Sequence, residues 1–145
     1  MSAALDRRQF VCACARTLAC AALAGCASIA ARRVSMVDGR IHLPLLQHPE
    51  LSEPEGSLKI LPDGHDDPLY VLRIGDGEYA TLSPICTHKG CTVDIQGTRL
   101  VCPCHGSTYD RTGRVLHGPA QRSLTRYPTE LSANGVVIVD ARSGG

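Results

Sequence analysis

From Arg32 onward, apolar residues come in short runs bounded by Gly, Pro, Asn and Asp, as in Leu69 to Ile74, Tyr79 to Leu82, Arg99 to Cys102 and Val136 to Val139. No long segment repeats at the 3.6-residue period of a helix, and the pattern predicts an all-β fold. Asp76-Gly77, Gln96-Gly97 and Asn134-Gly135 each lie between such runs, where residues tolerant of positive φ make tight hairpin turns. The expected result is a small sheet or sandwich with two longer loops, residues 83 to 92 and 102 to 120. There is no internal repeat.

Residues 1 to 31 obey a different rule: a short charged start, the pair Arg7-Arg8, then an apolar stretch of small residues. This reads as an export signal, succeeded by a linker over 32 to 37 and a folded domain over 38 to 142. Asp6-Arg7-Arg8-Gln9-Phe10-Val11 resembles a twin-arginine signal, with Asp6 where Ser or Thr is usual. That route carries proteins already folded, which suits one loaded with a cofactor before export. Arg16 interrupts the apolar stretch, and the uninterrupted remainder is shorter than the roughly twenty residues of a spanning helix. Leu23-Ala24-Gly25-Cys26 resembles a lipobox, making Cys26 a lipidation candidate; cleavage after Ala30 or Ala31 is the alternative. Either way the mature protein is expected on the periplasmic side of the membrane, tethered there by lipid or by a retained signal.

Composition changes this picture in two ways. Aromatic residues are 3% of the chain, and Phe10 is in the leader, so the folded part has only Tyr70, Tyr79, Tyr109 and Tyr127. A core this aliphatic and small gains from a metal or disulfide staple. Lys and Arg number 15 against 14 Asp and Glu, which gives no general attraction to nucleic acid. The eight cysteines divide evenly: Cys12, Cys14, Cys20 and Cys26 lie in the leader, and Cys86, Cys91, Cys102 and Cys104 lie close together in the folded part.

The second group carries the chemistry. Cys86-Thr87-His88 and Cys102-Pro103-Cys104-His105 place a Cys and a His in each of two loops. Two thiolates and two imidazoles suit zinc, but zinc fingers put both cysteines in one arm and both histidines in the other. Mixed arms suit a binuclear centre with unlike irons.

Cys86-Thr87-His88-Lys89-Gly90-Cys91 and Cys102-Pro103-Cys104-His105-Gly106-Ser107 resemble the two boxes of a Rieske 2Fe-2S protein of the high-potential, disulfide-containing branch, similar to the iron-sulfur subunit of quinol-cytochrome c reductases. The resemblance runs through about residues 69 to 140 and implies a small antiparallel β-sandwich with a cluster-binding subdomain. It implies Cys86 and Cys102 as ligands to one iron and His88 and His105 to the other, and a disulfide between Cys91 and Cys104. It also places Ser107 and Tyr109 where hydroxyls meet cluster sulfur, which raises the reduction potential. Gly118-Pro119-Ala120 resembles the start of the family's proline loop, the lid on the cluster, although Gln121 stands where a second proline is usual. His42, His48, His65 and His117 fit no second metal set and are expected in loops or on the surface.

The function implied is single-electron transfer to a redox partner protein, and the alternative is quinol oxidation as the iron-sulfur subunit of a cytochrome b-containing membrane complex. Lys89 bears on that choice. Quinol-oxidising relatives usually carry leucine there, where the tip docks in an apolar bowl, and a lysine is costly to desolvate unless paired. Residues 86 to 126 carry Lys89, Arg99, Arg111, Arg114, Arg122 and Arg126 against Asp94 and Asp110, a net of +4, whereas residues 38 to 80 carry a net of −6. A basic cluster end steers toward an acidic partner or a cytochrome.

Overall fold

The computed structural model describes residues 30–144. The twin-arginine pair, the lipobox with Cys26, and Cys12, Cys14 and Cys20 lie outside the described residues. The strands are β1 (Arg32–Val34), β2 (Arg40–Pro44), β3 (Ser57–Pro62), β4 (Leu69–Gly75), β5 (Glu78–Leu82), β6 (Asp94–Gln96), β7 (Arg99–Val101), β8 (Thr108–Asp110), β9 (Val115–His117), β10 (Arg126–Tyr127), β11 (Thr129–Leu131) and β12 (Val136–Asp140). A single 3-10 turn, Pro49–Leu51, is the helical element among the described residues.

The strands form three sheets, ordered β1-β3-β4-β5-β10, β11-β12-β2 and β6-β7-β8-β9. All pairings are antiparallel except that of β1 with β3. The chain turns at the three expected places: Gly77, Gly97 and Gly135 have φ of 67°, 57° and 74°, a region in which a Cβ is strained. The structure adds what periodicity missed. β8 and β9 form a hairpin inside the stretch 102 to 120 expected as loop, and β1 lies inside the stretch expected as linker. All three strands are three residues long, too short for a period to register.

Strand β4 organises the interior. Its side chains alternate in direction, so Leu69 and Val71 enter one apolar core and Tyr70 and Leu72 enter another. Buried on both faces, it reads as an unbroken apolar run instead of an alternation. The first core fills the space toward β2 and β12 with Ile41, Leu43, Leu58, Ile60, Val137 and Val139, all buried. The second joins Leu82, Val93, Leu100 and Leu124 to Cys86, Cys102 and Tyr109, under the sheet β6-β7-β8-β9. Burying one such aliphatic side chain stabilises the fold by roughly 1.5–3 kcal/mol.

The few aromatics sit where their polar ends find partners. The Tyr70 hydroxyl donates to the Val93 carbonyl at 2.9 Å and the Tyr79 hydroxyl to the Leu51 carbonyl at 3.0 Å. Each ring fills a core and each hydroxyl pins a loop.

Two titratable side chains are buried, which their positions in the sequence do not signal. Arg111 is 8% exposed, and its guanidinium donates to the carbonyls of Arg73, Gly97, Glu55 and Gly56 at 3.3, 3.0, 2.8 and 2.7 Å. It ties the end of β8 to β4 and to the loop before β3, and so leaves the basic face to which its charge was assigned. His48, expected in a loop or on the surface, is 7% exposed; its Nδ1 accepts from Arg32 Nη1 at 2.9 Å, with Glu50 Oε1 at 3.8 Å. Burial, and then the Arg32 charge, hold its pKa below the ordinary value. His42 and His117 are exposed and His65 half-buried, as expected of loop and surface positions.

Candidate metal centre

The two Cys-and-His loops share one backbone plan. In the first, the Gly90 N–H donates to the Cys86 carbonyl at 2.8 Å and the Cys86 N–H to the Cys91 carbonyl at 2.8 Å. In the second, the Gly106 N–H donates to the Cys102 carbonyl at 3.0 Å and the Cys102 N–H to the Ser107 carbonyl at 2.8 Å. Each loop turns back on its own leading cysteine, and the turn needs a glycine four residues on: Gly90 and Gly106 have φ of 78° and 77°.

This geometry points the donors at one another. Cys86 and Cys102 are free thiols, 2% and 1% exposed. The rings of His88 and His105 lie 4.8 Å apart, edge to face, with planes at 87°. His88 Nδ1 is buried and has no hydrogen-bond partner. A buried imidazole nitrogen without a partner costs free energy unless something accepts its lone pair, and a metal does so. Two buried thiols and two apposed imidazoles, one with an orphaned nitrogen, are a donor set that fits two irons with unlike ligands.

Cys91 and Cys104 form a disulfide, thirteen residues apart in sequence. Their sulfurs lie within 4.8 Å of Cys102 Sγ. Being bonded to each other they offer no thiolate, so the bridge is a clamp on the two loops beside Cys102 and not part of a three-cysteine metal site.

Tyr109, fully buried on β8, is the hub beneath the first loop. Its oxygen accepts from the Thr87 N–H at 3.3 Å and lies 3.2 Å from Cys86 Sγ, which as a thiolate accepts the phenol's proton. Thr87 Oγ1 lies 3.2 Å from the same hydroxyl. Burial works against the Cys86 thiolate, yet the Tyr109 hydroxyl, the His88 N–H and contacts to Cys102 and Ser107 outweigh it, so the thiol lies below its ordinary pKa. Burial and the neighbouring Cys86 raise Tyr109 above its own, which keeps the phenol protonated and donating. Ser107, also fully buried, accepts from the Ala120 N–H at 3.0 Å. That bond fastens the Gly118-Pro119-Ala120 segment to the second loop; the Gly118–Pro119 peptide is cis.

Lys89 and Gly90 are exposed at the tip of the first loop, and Pro103 to Gly106 are exposed in the second. Sequence reasoning missed two contributors to this site. Thr87 donates through Oγ1 to the Arg122 carbonyl at 2.6 Å, and Arg111 anchors the strand that carries Tyr109. Nothing in the spacing marks either residue, because their partners are distant in sequence.

A family model for the Rieske [2Fe-2S] domain matches residues 45–128. The cytochrome b6-f complex iron-sulfur subunit of Synechococcus elongatus is 47% identical over 88 residues, covering 54% of this chain and 49% of that protein. Iron-sulfur subunit 1 of the same complex from Nicotiana tabacum chloroplasts is 36% identical over 92 residues, covering 61% of this chain and 40% of that protein. The chain thus spans about half the length, or less, of these relatives. Among solved structures, the complex of oxygenase and ferredoxin in carbazole 1,9a-dioxygenase gives a TM-score of 0.56 at 22% identity over 72% of this chain and 95% of that one, a likeness of fold.

Proposed function

The chain belongs to the Rieske 2Fe-2S domain family, and from that premise we propose that it is an exported, membrane-tethered carrier of single electrons at high potential, with Cys86, Cys102, His88 and His105 as the ligands. The observation that carries the assignment is the buried pair of free thiols beside two apposed imidazoles, one of them with an unpartnered buried nitrogen. When bound, the cluster supplies a one-electron couple.

The chain's own residues set the terms of that exchange. Cys86 and Cys102 bring two negative charges and the neutral imidazoles none. The Tyr109 hydroxyl donates toward Cys86 Sγ, draining charge from sulfur and favouring the reduced state, and Ser107 adds to this from the other loop. The disulfide holds the loops together and excludes water beside Cys102. The outer edges of His88, half-buried, and His105, exposed, are where a partner meets the site, and a ligand imidazole there would carry a proton along with the electron.

Tethering rests on the leader. If Cys26 carries lipid, the six residue steps to Arg32, where β1 begins, reach at most about 22 Å, so the folded head stays near the periplasmic surface. The partner is a redox protein of acidic surface or a cytochrome, drawn by the exposed cations Lys89, Arg99, Arg122 and Arg126. A second reading, the iron-sulfur subunit of a quinol-oxidising complex, is favoured by relatives that are subunits of the cytochrome b6-f complex. Against it stands exposed Lys89 at the loop tip, which an apolar bowl would have to desolvate. A leader retained as an anchor favours the complex, and one cleaved before Cys26 favours the carrier.

EPR of the exported protein tests the proposal. The Rieske signal is expected after mild ascorbate reduction. A signal only after dithionite contradicts the high potential, and zinc in place of iron on metal analysis contradicts the ligand assignment.

A further inference from the structure

Beside His88, the first ligand loop and the segment after Pro119 run past each other and leave a cleft of about 480 Å³, lined by Thr87, His88, Pro119, Gln121 and Arg122. Its two walls are registered by one bond, from Thr87 Oγ1 to the Arg122 carbonyl at 2.6 Å. Thr87 is in turn held by Tyr109, which touches Cys86. The backbone of Arg122 is therefore placed with respect to a cluster ligand through three contacts.

The polar lining is one-sided. Its polar residues are Thr87, His88, Gln121 and Arg122, and none is acidic. The Arg122 and Gln121 side chains are exposed, and Arg122 forms no ion pair among the described residues, whereas Arg73, Arg114 and Arg142 each have an aspartate. Lys89, one residue from His88, adds a second exposed charge. A guanidinium beside a fixed wall recognises a planar anion in two-point fashion, which a lysine cannot do.

We propose that this cleft is where a surface carboxylate of an acidic redox partner seats, read by Arg122 and steered in by Lys89, so that the partner's redox group arrives against the His88 side of the site. This rests on the electron-transfer reading above and adds the chemistry that selects the partner and the flank on which it docks. Arg99, at the exposed end of β7 and outside the cleft, contributes field without recognition.

The test uses the full-length, cluster-loaded chain, reduced with ascorbate until its EPR signal is present. Absence of that signal after ascorbate and after dithionite alike contradicts the electron-transfer reading itself, before the cleft is probed. Stopped-flow then monitors one-electron oxidation of the protein by hexacyanoferrate(III), which becomes hexacyanoferrate(II), with a hexa-aspartate peptide as competitor. Competitive inhibition is expected. R122Q weakens it by about fivefold or more, and R99Q by less than about twofold, since a shared field affects both alike while a recognition contact affects one. R122K, which keeps the charge but not the planar fork, retains the ionic-strength dependence yet weakens the inhibition nearly as much as R122Q. Oxidation by the cation tris(1,10-phenanthroline)cobalt(III), which takes one electron to become cobalt(II), is not slowed by R122Q. No inhibition of the unmodified protein, equal losses in R99Q and R122Q, or full inhibition in R122K each overturn the proposal.

Discussion

The two faces of β4 look onto cores of different kinds. One, between the sheets β1-β3-β4-β5-β10 and β11-β12-β2, is aliphatic packing that includes Tyr79, with Tyr127 packed against it. The other carries Cys86, Cys102 and Tyr109 among its apolar residues and lies under two loops that turn on glycine. The first half is held by burial along paired strands, in the ordinary way of a sandwich. The second has three-residue strands and a floor of polarisable and polar groups, and it is held by additional devices: a disulfide, the buried guanidinium of Arg111 and hydroxyls on sulfur. A site for unlike metal ligands needs donors, which pack poorly without their metal. The difference shows what a fold adds when part of its core is reserved for chemistry.

Removing a ligand should separate the halves most sharply. Cys102→Ser is expected to abolish the visible and EPR signatures of the cluster, while amide exchange protection persists in β2 and β12; collapse of that protection as well would make the two cores one cooperative unit. Leu43→Ala acts on the other side of β4. It leaves a cavity in the aliphatic core and should cost about 2–5 kcal/mol in urea unfolding, with the cluster spectrum of the folded protein unchanged. An altered spectrum would mean that strain crosses the shared strand.

Replacing Cys91 and Cys104 together by serine removes the clamp. For a loop of this length the loss is about 3 kcal/mol, expected as faster exchange in β6 to β9 and cluster loss on mild heating, with β2 and β12 unaffected. Uniform destabilisation would deny the clamp its local role. The smallest effect is expected from Tyr109→Phe, which keeps the ring and deletes the donor. Losing one hydrogen bond to sulfur, about 1 kcal/mol, corresponds to roughly 40 mV for one electron. The hydroxyl favours the reduced state, so the potential should fall. A potential unchanged in redox titration would make Tyr109 a packing residue only.

Much of this was legible from residues alone. The two boxes with their glycines, the pairing of Cys91 with Cys104 implied by family resemblance, and the turns at Gly77, Gly97 and Gly135 all appear in the structure as expected. The β8–β9 hairpin was missed because two three-residue strands carry no measurable period. Arg111 was misplaced on the surface, and His48 lies in a loop as expected but is buried there, since charge in a sequence argues for solvent and only a set of backbone carbonyls, or an arginine sixteen residues away, makes burial tolerable.

By itself the sequence determined the donor types, their order in each loop and the glycines that let each loop fold back, because these depend on backbone torsions and chemistry within six residues. The tertiary structure alone decided which face of β4 each side chain occupies, what lies beneath Cys86, and that Thr87 reaches across thirty-five residues to Arg122. Such contacts arise from how separate strands stack, and no local pattern records which distant backbone group a hydroxyl or a guanidinium will meet.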